Sequence, residues 1–203
     1  MRVSARWIGF GVAAALAAVT QPAAAQFSPS YNFLKAVRDA DGDKVTQMLQ
    51  SPQNNVINTR DFNTGESALH IVVKRRDVTY LTFLLAKGAR PDIKDNQGNT
   101  PLIAAAQLGF GEGISPLIEY GANVNAVNDR GENALILAVQ ARDLTTVRLL
   151  LASGANPKAV DHIAGMSARD YAAQDRRSAA ILKVIDETPA QKPKGNVAGP
   201  QLK

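Results

Sequence analysis

Short apolar runs alternate with polar segments along most of this chain, and the alternation repeats. In the first run of each unit, Leu69, Leu102 and Leu135 stand 33 residues apart, with Val72, Ala105 and Ala138 three residues behind them. In the second run, Leu81, Ile114 and Val147 align, then Leu84, Leu117 and Leu150, then Leu85, Ile118 and Leu151. Spacings of three and four place such residues on one face of a helix. Each run is too short to be a stable helix alone, so the units must bury one another. A fixed period of this size marks a stack of like units.

The helix ends carry their own signals. Ser67, Thr100, Asn133 and Ser167 fall one before each first helix, where a side-chain oxygen accepts from an orphan backbone N–H for ~1 kcal/mol. Pro101 follows Thr100 at the first helical position, where a missing N–H costs nothing. Gly88, Gly121 and Gly154 each close a second run, as left-handed C-caps do. Gly65, Gly98 and Gly131 keep the same period. The stretch from Gly121 to Gly131, rich in Asn, Asp and Gly, predicts an extended hairpin-like connection.

Cap, Pro-Leu, small-residue helix, second helix, Gly-Ala-Asn and polar finger together make the chain resemble the ankyrin repeat family. Thr100-Pro101-Leu102 and Gly121-Ala122-Asn123-Val124-Asn125 carry the best match, and Ser67-Ala68-Leu69-His70 and Asn133-Ala134-Leu135-Ile136 are looser forms. The resemblance covers roughly Asn32 to Asp186. It implies an all-α fold: an ankyrin-repeat solenoid of about five helix-turn-helix units joined by β-hairpin-like loops. It also implies a protein-binding scaffold far more often than an enzyme.

The ends of the chain differ from the repeats. Met1 to Ala25 has the pattern of a secretory signal: Arg2 and Arg6, an apolar run of 13 residues from Trp7 to Val19, and Ala23-Ala24-Ala25 before Gln26. The run falls short of the ~20 residues a spanning helix needs. Residues 1–25 are therefore expected to be a signal peptide, 26–187 the repeat domain, and 188–203, with Pro, Gly, Lys and Gln and little to bury, a disordered tail. Cleavage after Ala25 would place the protein in the periplasm, with no stable membrane anchor.

Several units depart from the pattern. Phe33, Ala36 and Val37, then Val45, Met48 and Leu49, match the second unit at an offset of 36, so the loop Ser51 to Asn63 is expected to carry about three extra residues. In the third unit Gly111 stands where Val78 and Leu144 stand, so a core side chain is missing, and Pro116 requires a late helix start or leaves a soft spot. In the fifth, Arg169 replaces the expected Leu, and Asp170, Asp175, Arg176 and Arg177 join it, which reads as a solubilising C-terminal cap. Arg76 and Arg142 stand where Gly109 keeps the family's usual glycine, so those two turns are expected to be less tight.

Composition narrows the chemistry. The 203 residues contain no Cys, which excludes disulfides, thiolate metal sites and a Cys nucleophile. There are 23 basic and 18 acidic side chains. Loss of Arg2 and Arg6 leaves a balance too mild to argue for nucleic acid, and no basic cluster with interleaved aromatics is present. Asp39-Ala40-Asp41-Gly42-Asp43 has the acid spacing of a calcium loop, but Lys44 and Gln50 stand where Gly and Glu are needed. The reading that fits is a turn with Asp43 near the cap of the next helix. Gly109-x-Gly111-x-Gly113 lacks the strand before and the Lys-Ser/Thr after that a phosphate loop requires. His70 and His162 are the two histidines. The resemblance makes His70 structural, bonded near a hairpin base, and neither has a nucleophile or base partner in the sequence. No catalytic, cofactor-binding or metal-binding residue is assigned.

The resemblance places partner contacts on the hairpin tips and the solvent side of the first helices. Carried over unit by unit, that surface comprises Asn63, Thr64, Glu66, Lys74 and Arg75, then Asn96, Gln97, Asn99, Gln107 and Leu108. The next unit adds Asp129, Arg130, Glu132, Gln140 and Ala141, and the last His162, Met166 and Gln174. Leu108 is apolar in a place the helix pattern exposes. Three readings compete: a monomeric periplasmic module that binds and stabilises, inhibits or escorts a protein partner of unknown identity; an effector or structural protein acting outside the cell; and an enzyme with an unrecognised site.

Overall fold

The computed structural model describes residues 28–51 and 56–188. The segment read as a signal and all but the first residue of the segment read as a tail lie outside the described residues. Among the described residues ten α-helices run in pairs: α1 Pro29–Arg38 and α2 Gly42–Gln50; α3 Ala68–Lys74 and α4 Val78–Ala86; α5 Pro101–Gln107 and α6 Ile114–Glu119; α7 Ala134–Gln140 and α8 Leu144–Ala152; α9 Ala168–Gln174 and α10 Ala179–Glu187. The first helices pack in a row, α1 on α3 on α5 on α7 on α9, and the second helices line the outside. The expected helical solenoid is the fold observed.

One continuous core runs through the row. Phe33, Leu69, Leu102 and Leu135 are buried at equivalent places, as are Leu81, Ile114 and Val147. All four cap residues read from the sequence precede first helices. The Thr100 hydroxyl accepts from the Ile103 N–H at 3.3 Å and the Asn133 amide oxygen from the Ile136 N–H at 2.9 Å. Three second helices, α2, α4 and α8, are capped by aspartate: Asp41, Asp77 and Asp143 accept from the N–H groups of Lys44, Tyr80 and Thr146. Asp41 therefore caps α2, with Asp43 close by in its first turn. Asp39 pairs with Lys35 one turn away, so these acids do not converge on a cation.

The connections between units are polar fingers; among the described residues three of the four are closed by single antiparallel bridges, Arg60 with Ser67, Val127 with Asn133 and Val160 with Ser167, rather than by strands. From Asp61 to Ser67 and from Asp161 to Ser167 the finger is one residue longer than from Asp95 to Thr100 or Asn128 to Asn133. That tip residue accounts for one of the three extra residues expected before the second unit, and for the shifted register of the fifth.

Two expectations about the turns are corrected. Arg76 and Arg142 take φ of 56° and 58°, beside 63° at Gly109. Their N–H groups close the turns on Val73 and Val139 at 3.0 and 2.9 Å, as Gly109 does on Ala106 at 3.2 Å. The three turns are equally tight, and the arginines carry the left-handed strain. In the third unit the core is not missing a side chain. Phe110 is buried, and a Cβ on Gly113 would stand 2.4 Å from its ring. Pro116 lies in the first turn of α6, the late start that its missing N–H requires.

Candidate functional site

The fingers form a ladder. Each opens on an acid or amide, Asp61, Asp95, Asn128 or Asp161, whose side chain gathers the N–H groups of its own tip. Asp95 accepts from Gln97 and Asn99 at 2.8 and 2.9 Å, and Asn128 from Arg130 and Glu132 at 3.0 Å each. The next residue lies across the preceding finger. The N–H of Asn96 donates to the Thr64 carbonyl at 3.0 Å, that of Asp129 to Gln97 at 3.1 Å, and that of His162 to Arg130 at 2.8 Å. Beneath them lie Gly65, Gly98 and Gly131, at φ of 72–77°. A Cβ on any of the three would meet the crossing residue at 2.3–2.5 Å. The period of these glycines is thus set by finger stacking as well as by turn conformation.

His70 ties the second unit to the finger that opens on Asp95. Its Nδ1 accepts from the Ser67 N–H at 3.2 Å, so the proton sits on Nε2, which donates to the Asn99 carbonyl at 2.9 Å. Burial pushes its pKa down, against the opposing pull of the Asn99 carbonyl, and the ring is held neutral. Along the same row, the Arg38 guanidinium, followed by the Thr64 N–H, holds the Asp61 carboxyl down to about 2. Burial alone would raise Asp161; the Tyr171 hydroxyl at 2.7 Å and the tip N–H groups outweigh it and lower it instead.

Between the fingers that open on Asp61 and Asp95 and the solvent side of α3 and α5 lies a groove of 370 Å³. It brings together nine of the residues named from the sequence: Asn63, Thr64, Glu66, Lys74, Asn96, Gln97, Asn99, Gln107 and Leu108. His70, Asp95 and Ala104 complete the lining and were not assigned to that face. Ala104 carried a readable signal. It stands where Ile71 and Leu137 stand in the adjoining units, and its short side chain leaves room for the groove.

Three residues expected on the exposed surface are buried: Glu66 and Glu132 are 8% exposed and Asn99 5%. Their polar atoms are already used. Glu66 is ion-paired with Lys74, and Glu132 with Arg130 at 2.8 Å. The Asn128 amide donates to Asn99 and Glu132 at 3.1 and 3.0 Å. They form the floor that positions the exposed residues. Arg75 is also displaced from the face: it donates to the Val37 carbonyl at 2.7 Å, pairs with Asp77 at 2.9 Å and lies over the Tyr80 ring. Lys74, Gln107, Gln140 and Ala141 are exposed, and Leu108 is 37% exposed. Asp129 and His162 lie across glycines as ladder residues, and Met166 and Gln174 contact each other at 3.4 Å.

Among the described residues no three His, Asp or Glu side chains gather closely enough to hold a metal ion, and no helix is long and apolar enough to cross a membrane.

Capped helix pairs, a shared core and a ladder of fingers flanking a groove define a helical repeat scaffold. The chain belongs to the ankyrin repeat family: the family profile described as "Ankyrin repeats (3 copies)" matches residues 33–128 and 81–161. It is similar to an ankyrin repeat-containing protein of Treponema pallidum, 32% identical over 142 residues, which is 70% of this chain and 46% of that one. It is 33% identical over 122 residues to human neurogenic locus notch homolog protein 2, covering 60% of this chain and 5% of the relative. The nuclear factor NF-kappa-B p105 subunit of Gallus gallus is 27% identical over 161 residues, 70% of this chain and 16% of that one. The chain spans less than half the length of these curated relatives. The repeats indicate a scaffold for protein–protein interaction.

Proposed function

We propose that this chain is an exported, non-catalytic scaffold that holds a protein partner in the periplasm and stabilises, inhibits or escorts it. The observation that carries the reading is the groove beside Ala104. It offers hydrogen-bonding amides at Asn63, Asn96, Gln97 and Gln107, one cation at Lys74 and one apolar spot at Leu108. Such a lining suits an extended peptide segment, whose backbone needs donors and acceptors and whose side chains need one dry contact. Of its carboxylates, Glu66 is held by Lys74 and Asp95 by the N–H groups of its own tip, and the Ser67 hydroxyl bonded to His70 is buried as a helix cap, which supports binding over catalysis. Export rests on the basic start, apolar run and Ala23-x-Ala25 site.

The test is capture. The tagged protein is recovered from a periplasmic extract and its companions identified by mass spectrometry, beside a variant carrying Leu108→Asp and Gln140→Glu. These side chains are exposed, so each change should stay within about ±0.5 kcal/mol of wild-type stability. The expected result is one abundant partner with the wild type, lost with the variant while melting is unchanged. Undiminished capture by the variant would move the binding surface elsewhere. A partner recovered only from material outside the cell would overturn the periplasmic assignment.

A further inference from the structure

The last unit releases the chain at the edge where the groove lies. α4, α6 and α8 are each followed closely by a left-handed glycine, Gly88, Gly121 or Gly154, and then by a finger. α10 holds the same place in the fifth unit, but no glycine follows it. Thr188 takes φ of −82° and ψ of 113° instead, and its hydroxyl donates to the Val184 carbonyl at 2.7 Å. The chain therefore leaves α10 extended, at the edge from which the other units send out their fingers. Residues 189–203 follow, with Lys192, Lys194 and Lys203, no acid, and Leu202 as their largest apolar side chain. Such a composition has little to bury by itself and suits a segment that takes its shape from the surface it meets.

The groove beside Ala104 matches that segment in charge and shape. Glu66 and Asp95 stand in its lining against the cation Lys74, and His70 is neutral there, so acid is in excess. A smaller hollow of 150 Å³ at the first unit carries Arg38 and Arg60 against Asp61 and would repel the same lysines. Ala104, aligned with Ile71 and Leu137, leaves a recess beside the exposed Leu108. The reach is sufficient. α5 lies two units before α9 along the row, ~20 Å away at helix spacings of about 8–10 Å, and crossing from the second-helix layer adds ~10 Å. Residues 189–203, when extended, span ~50 Å. We propose that residues 189–203 fold back along the fingers and occupy this groove, with Leu202 in the recess beside Leu108 and the lysines near Glu66 and Asp95. The inference rests on the groove being the partner's surface, and it adds regulation: a partner must displace the chain's own segment. Because the contact is intramolecular, its effective concentration is on the order of millimolar, and a weak contact is enough to hold it. The segment thus admits only partners that bind the groove better than it does.

The chain contains no Cys, so one engineered pair reports the contact. Gln201→Cys is combined either with Gln107→Cys in the groove or with Arg148→Cys on α8. Arg148 is exposed, and α8 packs on α10, so this second position lies nearer to Thr188 along the stack. At micromolar concentration under a mild oxidant, chain closure alone would favour the nearer site. The groove pair is instead expected to close into an intramolecular disulfide about tenfold faster. Ala104→Leu, which supplies the residue of α7 and fills the recess, is expected to remove that advantage with circular dichroism unchanged. Lys192→Glu, Lys194→Glu and Lys203→Glu together are expected to do the same, and they leave the folded units untouched. Equal rates in the two pairs overturn the proposal, as does an advantage that survives either set of changes. The full chain with the three lysines replaced should also capture more of a periplasmic partner than the wild type does, and equal capture counts against the proposal. Failure of the partner reading would show as no partner with either chain. The disulfide rates need no partner and decide the segment's position whatever the extract yields.

Discussion

The second and third units share a first helix and a finger but reach their second helix differently. α4 has nine residues and an Asp77 cap. α6 has six, follows a 3-10 turn at Gly111–Gly113, and has no side-chain cap. At the position of Asp77 stands Phe110, whose ring fills the space that Tyr80 and Thr146 border in the neighbouring units. A cap contributes ~1 kcal/mol, whereas burying a Phe side chain contributes roughly 1.5–3 kcal/mol. The exchange therefore favours the stack at the expense of the local helix. A repeat interface constrains volume and capping jointly, and one position can serve either.

The largest expected effect follows directly. Phe110→Ala removes the ring with no neighbour able to replace it, because Gly111 and Gly113 have no side chains. The loss should be ~3–5 kcal/mol by urea unfolding. Asp77→Ala and Asp143→Ala, at the same position of the adjoining units, should cost only ~0.5–2 kcal/mol. Equal losses at all three sites would break the comparison. Gly113→Ala acts from the other side. Its Cβ would sit 2.4 Å from the Phe110 ring, and overpacking of this kind costs ~1–3 kcal/mol. Made together, the two changes should lose less than their sum, since the ring that clashes is gone.

The trade also predicts a difference in motion. With its helix nucleated by a 3-10 turn rather than an aspartate, the segment 112–120 should exchange its amide protons faster than 79–87 or 145–153 in the intact protein. Equal protection in the three segments would mean that Phe110 anchors α6 as firmly as the aspartates anchor α4 and α8.

The sequence made the stack legible because period, caps and apolar spacing are local and redundant. Thr100-Pro101-Leu102 states a helix start three ways, and each next unit repeats it. What it hid lies where two units meet. A glycine at 111 read as an absent side chain, since nothing local says that residue 110 turns inward. Glu66, Asn99 and Glu132 read as solvent-facing because carboxylates and amides are mostly exposed. Their burial depends on Lys74, Asn128 and Arg130 closing over them, partners set by finger geometry rather than by helix period. Arg75 was placed on the face by its position in the helix, yet it reaches back to Val37 of the preceding unit. The groove itself was foreshadowed at Ala104, a small residue between Ile71 and Leu137 in the aligned units. That signal is an absence of volume, which a search for chemistry passes over.

The junction between these two units also carries a pH dependence. Where the third and fourth units have Ile103 and Ile136, the second has His70, with its pKa lowered by burial. The unfolded chain takes up a proton near the ordinary value of 6.5, while the folded junction resists it. Stability is therefore full above that value and falls as pH drops below it, because the unfolded state binds the proton the native state refuses. Urea midpoints should fall between pH 7.5 and 5.5 in the wild type. His70→Ile, the residue of the other units, should flatten that slope whatever it does to the midpoint. An unchanged slope would place the pH dependence elsewhere.

The smallest effect is expected at the turns, where the second, third and fourth units agree in shape and differ in residue. Arg142 holds a left-handed conformation that costs a non-glycine residue ~1–2 kcal/mol, at the position Gly109 occupies without strain. Against Arg142→Gly stand two losses. The Nε of Arg142 lies 2.5 Å from the Asp175 carboxylate, an exposed pair of the kind that contributes ~0–1 kcal/mol. A glycine also loosens the unfolded chain, for ~0.4–1 kcal/mol. Gain and losses nearly cancel, so Arg142→Gly should shift stability by no more than ~0.5 kcal/mol. The cancellation has a signature that a neutral surface change would lack. In an Asp175→Asn background the ion pair is already absent, and the same substitution should become stabilising. If it is equally neutral in both backgrounds, the pair contributes nothing, and the strain at Arg142 is smaller than its φ of 58° implies.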